Sequence, residues 1–196
     1  MPTLGLGRLD RDRLGALLRD QAGAALTYPD VGATRGRSTP AGYHGSHHAV
    51  MAGTGEDAFA SLRDGVLRFD VHRGAGLRVV ATTPTAEPGT DVVVAIPFGP
   101  LATAVACCRV VYRIDEPARA GFAYGTLPDY PESGEEAFLV ARQPSGDVRF
   151  EVIQFSRPAT TAGRALTPFH RTAQAIVTRR YLAAASRIAR SRSTAG

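Results

Sequence analysis

The sequence predicts an α+β fold in which a curled antiparallel sheet of about seven strands grips one long C-terminal helix. Three observations lead there. From Leu77 to Arg157 the chain is a succession of short runs rich in β-branched and aromatic residues, separated by turn residues. After them comes one apolar stripe at helical spacing: Phe169, Ala173, Ile176, Val177, Tyr181, Ala184 and Ile188. Finally, 196 residues that are 44% hydrophobic and 21% charged suit a single domain with a real core. Short connections favour antiparallel pairing. One helix cannot cover that many strands laid flat, so the sheet must curl around it.

The elements follow in order. Leu9, Leu14, Leu17 and Leu18 give residues 9–25 the pattern of a short amphipathic helix. Residues 27–42 carry Pro29, Gly32, Gly36, Pro40 and Gly42 and read as irregular. A strand over 43–53 precedes a helix capped near Thr54, with Glu56 and Asp57 in its first turn and Phe59, Leu62, Val66 and Phe69 on its apolar side. Strands are expected over 77–83, 90–98, 104–114, 121–127, 135–142 and 148–157, the last two joined by the turn Pro144-Ser145-Gly146-Asp147. The final helix spans 167–190, with Thr167 as cap and Pro168 at its first position. Residues 1–42 thus form a helix and lead-in, and 43–192 the sheet-and-helix body of one domain.

Composition excludes several chemistries. All 23 basic residues are Arg, and without Lys there is no Schiff-base lysine, no covalent pyridoxal phosphate and no P-loop lysine. The net charge of +5 is spread along the chain rather than gathered in a stripe, so nucleic acid is not the expected partner. No apolar run reaches the roughly 18 residues of a membrane span, and the N-terminal charges do not suit a signal peptide. A cytoplasmic protein without membrane insertion is the expectation. Cys107 and Cys108 are adjacent, so on a strand they point to opposite faces, which suits neither a zinc knuckle nor an ordinary disulfide.

Period-two alternation names the residues that face the helix. They are Val92, Val94, Ile96 and Phe98; Ala106, Cys108, Val110, Tyr112 and Ile114; Phe122, Tyr124 and Thr126; and Val148, Phe150, Val152, Gln154 and Ser156. Arg109 and Arg113 fall on the opposite, outward set. The inner surface is apolar, with Tyr112, Tyr124 and Gln154 as its few polar groups, which is the composition of a small-molecule pocket. An ordinary filled core whose tyrosines find backbone partners is the alternative. Tyr28, Phe98, Tyr112, Tyr124, Phe150 and Gln154 are the candidate contacts to an apolar or aromatic ligand.

For chemistry, the candidates are His44, His72, Asp70 and Tyr124. His44 and His48 share a strand face and His47 points away, but their spacing is no metal signature even with His72 or Asp70 added. No metal site and no cofactor is assigned. Asp70 is placed to orient His72, and imidazole titrates near neutrality. No nucleophile elbow and no dinucleotide fingerprint is present. Glu132, Glu135 and Glu136 are paired carboxylates that can do acid–base work, though acids on a solvated turn are the commoner meaning, and Arg157 reads as an ion-pair partner for one of them. Cofactor-free cyclisation, isomerisation or dehydration is the reaction class such a site allows, and a non-catalytic interaction module with a filled core is the alternative.

The element order resembles that of the helix-grip superfamily, which includes the birch-pollen allergen, START lipid-transfer domains and aromatic polyketide cyclases. More specifically, several motifs occur in family order: Thr27-Tyr28-Pro29-Asp30-Val31-Gly32-Ala33-Thr34, Ala41-Gly42-Tyr43-His44 and His72-Arg73-Gly74-Ala75-Gly76-Leu77 in the first half. Cys108-Arg109-Val110-Val111-Tyr112, Gly121-Phe122-Ala123-Tyr124-Gly125-Thr126-Leu127-Pro128, Glu132-Ser133-Gly134-Glu135-Glu136 and Phe155-Ser156-Arg157-Pro158 follow. Together they resemble domain-of-unknown-function family nineteen-ninety, found in actinobacteria and plants, over nearly the whole chain from Thr27. That resemblance implies no particular activity. Two departures stand out: Phe69-Asp70 where relatives often carry Trp, and Gly45-Ser46-His47-His48-Ala49 where they are usually basic.

Overall fold

The computed structural model describes residues 4–6, 10–98, 102–128, 130, 132–159 and 167–191. In chain order these form β1 (Leu4–Leu6), α1 (Arg11–Asp20), a 3-10 turn (Ala33–Gly36), β2 (His44–Thr54), α2 (Glu56–Leu67) and α3 (Asp70–Gly74). Then come β3 (Arg78–Ala81), β4 (Asp91–Phe98), β5 (Ala102–Glu116), β6 (Arg119–Thr126), β7 (Glu132–Arg142), β8 (Asp147–Pro158) and α4 (Thr167–Arg190). The strands lie in the order β2-β8-β7-β6-β5-β4-β3, every neighbouring pair antiparallel, while β1 adds a short pairing to β5. The sheet curls about α4.

Helix ends differ in detail from the expectation. Asp10 caps α1 by accepting from the Arg13 amide at 2.9 Å. Gly55, not Thr54, stands at the cap of α2, and the Thr54 hydroxyl turns to Asp147 instead. The Thr167 and Pro168 side chains lie outside the described residues. On α4 the buried stripe is Val177, Tyr181, Ala184, Ala185 and Ala189, and Ile176 is exposed. Ala184 and Ala189 let α4 approach Gly74 and Gly53 closely, where an added Cβ would come within 3.2 Å of each alanine.

Both faces of the sheet are covered. The inner face packs against α2, α3 and α4 through Phe59, Leu62, Val66, Phe122, Phe138, Phe150 and Tyr181. The outer face is not open to solvent as alternation alone implies. Leu14 of α1 sits on Val93, Ala95, Val105, Cys107 and Leu127. Arg109 is part of this cover: it grips Asp91 with two nitrogens, at 2.6 and 3.1 Å, and donates to the Ala24 carbonyl at 2.6 Å.

One extra residue in β5 overturns part of the alternation. Val110 pairs with Tyr124 but Tyr112 pairs with Ala123, so the ladder slips at Val111. A one-residue bulge exchanges the faces of everything beyond it. Tyr112 and Ile114, expected toward the helix, therefore pack on the outer face with Ala123, Ala137, Leu139 and Ile153.

The lead-in segment is fastened to the sheet by Thr27 on Thr126, by Arg37 on Glu151 and, with the most bonds, by one carboxylate. Glu135, 3% exposed, accepts from the Tyr28 hydroxyl at 2.7 Å, the Gly32 amide at 2.6 Å, the Thr34 amide at 3.0 Å and the Thr34 hydroxyl. The Thr34 hydroxyl also bonds to Tyr112 at 2.9 Å. Gly32 has φ 86°, a left-handed conformation that glycine adopts without the Cβ penalty and that lets its amide point at Glu135. Gly125 completes the seat, because a Cβ there would lie 2.2 Å from the Tyr28 hydroxyl. Removing the carboxylate strands several buried donors. Glu135→Ala is expected to cost about 3 kcal/mol or more in urea unfolding, and Tyr28→Phe about 1–2 kcal/mol.

Candidate functional site

On the inner face, register aligns polar residues from adjacent strands into one row. Tyr124 of β6 is opposite Glu136 of β7, Glu136 is opposite Gln154 of β8, and Gln154 is opposite Ser46 of β2. Their strand neighbours Phe122, Phe138 and Val152 are core residues, which fixes the row on the side facing the helices. The Tyr124 hydroxyl donates to Glu136 Oε2 at 3.0 Å, and Gln154 Nε2 donates to Ser46 Oγ at 2.9 Å.

Behind the row sits His72, fully buried among Phe69, Phe122, Tyr124, Phe138 and Tyr181. Phe69 gets there by ending α2 in a left-handed turn of φ 62°, a conformation costing a non-glycine residue about 1–3 kcal/mol. Its ring meets Phe122 edge-on with centroids 5.2 Å apart. His72 Nε2 lies 3.4 Å from the Tyr124 hydroxyl. Because that hydroxyl spends its proton on Glu136, the imidazole is the donor at Nε2. Nδ1 is then a bare acceptor, buried and without a partner.

The row borders a partly exposed stretch of the inner face. Glu136, Gln154, Tyr130 and Gln174 are only partly buried, whereas Phe138, Phe150 and Val152 beyond them are inaccessible. Gln174 reaches down from α4 to Glu132, which shares the inner side of β7 with Glu136, and its amide nitrogen is 3.5 Å from Ser156 Oγ. Burial raises the Glu136 carboxyl to about 7; the Tyr124 hydrogen bond pulls it down and the Glu132 charge pushes it up. Burial, with help from Arg73, lowers His72 to about 3, so the imidazole is neutral. Tyr124 and Tyr181 are both pushed well up, first by burial and next by the Glu136 charge. The Cys108 thiol is raised as well, first by burial, and does not act as a ready nucleophile.

Of the residues anticipated from sequence, Tyr124 and Gln154 stand in the row and His72 directly behind it. His44 precedes Ser46 by two positions on β2, exposed, and pairs across to Ser156. Asp70 does not orient His72: its carboxylate pairs with Arg73 at 3.0 Å on the exposed side of α3. Phe150 is sealed in the core. Tyr28 and Tyr112 belong to the outer face, held by Glu135 and Thr34. The Phe98 side chain lies outside the described residues. His47 faces Glu151 on the outer side at 3.6 Å, and no three His, Cys, Asp or Glu converge as metal ligands among the described residues. Arg157 lies over the Tyr43 ring, 4.6 Å from its centroid, rather than beside an acid.

Sequence reasoning noticed Glu136 only as one of three acids and did not place it on the inner face. The three glutamates look like a solvated turn, yet β7 starts at Glu132 and separates them by face. Glu135 goes outward, Glu132 and Glu136 inward. Counting back by twos from Phe138 and Val140 gives that assignment.

The model of the family described as domain of unknown function (DUF1990) matches residues 27–184. The chain belongs to this family. A UPF0548 protein from Deinococcus radiodurans is 36% identical over 165 residues, 78% of each chain. Among solved structures, hypothetical protein jhp0584 from Helicobacter pylori is similar with a TM-score of 0.54 at 13% identity, covering 85% of this chain and 96% of that one. The di-domain ARO/CYC BexL of the BE-7585A biosynthetic pathway is similar with a TM-score of 0.55 at 16% identity, over 78% of this chain and 52% of its own. These likenesses establish the helix-grip fold for this DUF1990 member. None of the described helices is long and apolar enough to cross a membrane.

Two buried groups give stability opposite pH dependences. The folded chain holds the Glu136 proton up to about 7, whereas the unfolded carboxyl releases it near 4.5, so stability falls as pH rises through that interval. His72 stays neutral in the fold down to about 3 while the unfolded imidazole takes a proton near 6.5, so stability falls as pH drops between those values. Thermal melts across about pH 4–8 are expected to show Glu136→Gln raising Tm above the parent at the alkaline end and little at the acid end.

Proposed function

We propose that this protein binds a small apolar or aromatic molecule between the inner sheet face and α4, with its polar end at Glu136. The observation that supports this reading is the row Tyr124–Glu136–Gln154–Ser46, a line of polar groups on an otherwise apolar face whose members Glu136 and Gln154 stay partly exposed. Sparse polar groups on an apolar wall orient a ligand rather than merely holding it. The fold shared with the BexL ARO/CYC di-domain agrees with a small-molecule role, and the ligand itself must be argued from these residues.

The same arrangement suits proton transfer without a cofactor. A carboxyl poised at about 7 both takes and returns a proton near neutrality. Tyr124, bonded to Glu136 and backed by neutral His72, positions that carboxyl. Cyclisation, isomerisation or dehydration of a bound carbon skeleton needs no more than this, provided the pocket imposes the reacting conformation. In this reading Glu136 carries the proton, Gln154 and Ser46 orient the ligand, and His44 lies at the rim.

A second reading has one observation in its favour. The motifs around Tyr28, Thr34 and Glu135 bond to each other on the outer face, so they serve folding and need no ligand. A non-catalytic interaction module would use them in the same way.

Native mass spectrometry against the denatured mass separates the two. A reproducible extra mass, acquired from cell extract and lost in Gln154→Trp while far-UV circular dichroism is unchanged, is the expected result. A persistently clean mass would overturn ligand binding in favour of the interaction module. For the identified ligand incubated in heavy water, deuterium incorporation is expected to vanish in Glu136→Gln and survive in His44→Ala.

A further inference from the structure

At one end of the sheet the backbone has no neighbour. We infer that β2 pairs edge to edge with β2 of a second copy of this chain, antiparallel across a two-fold axis, so that two sheets become one. The pairing uses the strand edge and does not depend on any ligand at the inner face.

β2 is the terminal strand, and β8 is its partner in the sheet. In an antiparallel ladder every second residue turns its amide and carbonyl away from that partner. Along His44–Thr54 those outward groups meet no other backbone, for neither the helices nor the lead-in bonds to them among the described residues. An open edge is a template for another strand, and sheets ordinarily blunt it by shortness, charge, proline or a bulge. The far end of this sheet is blunted in that way: β3 has four residues and opens with Arg78. β2 has eleven residues and no proline, and the whole run 38–55 holds no Arg, Asp or Glu. Its bulge falls between Met51 and Gly53, which leaves His44–Met51 as a regular edge about 27 Å long.

Side chains beside this edge are open as well. His44, His47, His48, Ala49 and Met51 are all exposed, and Met51, at 54%, is one of the few large apolar side chains in that state. Val50 packs on the inner core, so Ala49 and Met51 stand on the outer face. A strand laid along the edge covers Met51 while it satisfies the outward amides and carbonyls.

The composition of the strand names the occupant. A two-fold axis sets a strand against itself, so any charged residue on it meets its own like charge. β2 has none to repel, and its two copies offer each other equal lengths of open edge. An acidic or basic peptide finds no opposite charge on this strand to select it. Self-pairing also consumes both edges at once, so the assembly closes at two copies.

Sedimentation equilibrium of the full-length chain between about 1 and 100 µM is expected to show a monomer–dimer equilibrium. Ala49→Lys places a charge at an exposed position on the edge. It is expected to raise the dissociation constant at least about tenfold with far-UV circular dichroism unchanged. Val31→Lys, at an exposed apolar residue of the lead-in, should leave it within about twofold. Hydrogen exchange on the parent chain gives a second readout: β2 amides are expected to exchange more slowly as protein concentration rises. A monomer throughout, a dimer indifferent to Ala49→Lys, or β2 exchange independent of concentration would each overturn the inference. Protection of β2 gained only on adding a different protein would assign the edge to a foreign strand and overturn it too.

Discussion

Everything in this fold depends on a sheet whose two faces are both spoken for. A strand alternates its side chains, so a sheet with cover on both sides must satisfy two unrelated cores from one backbone. The inner core is aromatic and packed by α2, α3 and α4. The outer core is thinner and is closed by α1 and a lead-in with little regular structure. Such a cover has few backbone bonds of its own and must be fastened by side chains. Glu135 does this, drawing Tyr28, Gly32 and Thr34 onto β7 from roughly a hundred residues earlier in the chain.

The three-residue run Gly134-Glu135-Glu136 therefore divides its labour by parity. One glutamate is spent outward on architecture, with four donors around it. The next faces the helices, partly exposed, with the Tyr124 hydroxyl as its partner among the described residues. A buried carboxylate with few partners holds its proton more tightly than one in water. Local sequence makes the two residues look alike. Their surroundings make one a fastening and leave the other a partly exposed acid that burial raises to about 7.

Much of the architecture was legible because it rests on periodicities that need no partner to be read. The long helix over 167–190 has the bounds its stripe implies, and the antiparallel runs from 90 to 157 each became a strand. Tyr124, Phe150 and Gln154 face inward as alternation requires. What failed were features set by contacts distant in sequence. Tyr112 changed face because Val111 bulges, and nothing within β5 announces the slip. Tyr28 resembled a ligand contact because its distant partner Glu135 resembled a solvated turn. Asp70 is two residues from His72, but on a helix that spacing sends side chains apart, and Asp70 takes Arg73 instead. α3 itself was unforeseen, since it follows from the left-handed turn at Phe69.

The bulge at Val111 also bears on how this chain tolerates insertion and deletion. Even-numbered residues of β5 serve the inner core before it and the outer core after it, so the single strand works as two half-strands of opposite phase. Substitutions along it are graded losses of packing. Length is different in kind: removing the extra residue Val111 would restore a regular ladder with Tyr112 and Ile114 still on the outer face, whereas drawing Val111 into the ladder would turn them into an inner face already filled and send Arg113 outward. The bulge, more than the identity of Val111, decides which core each later side chain of β5 serves.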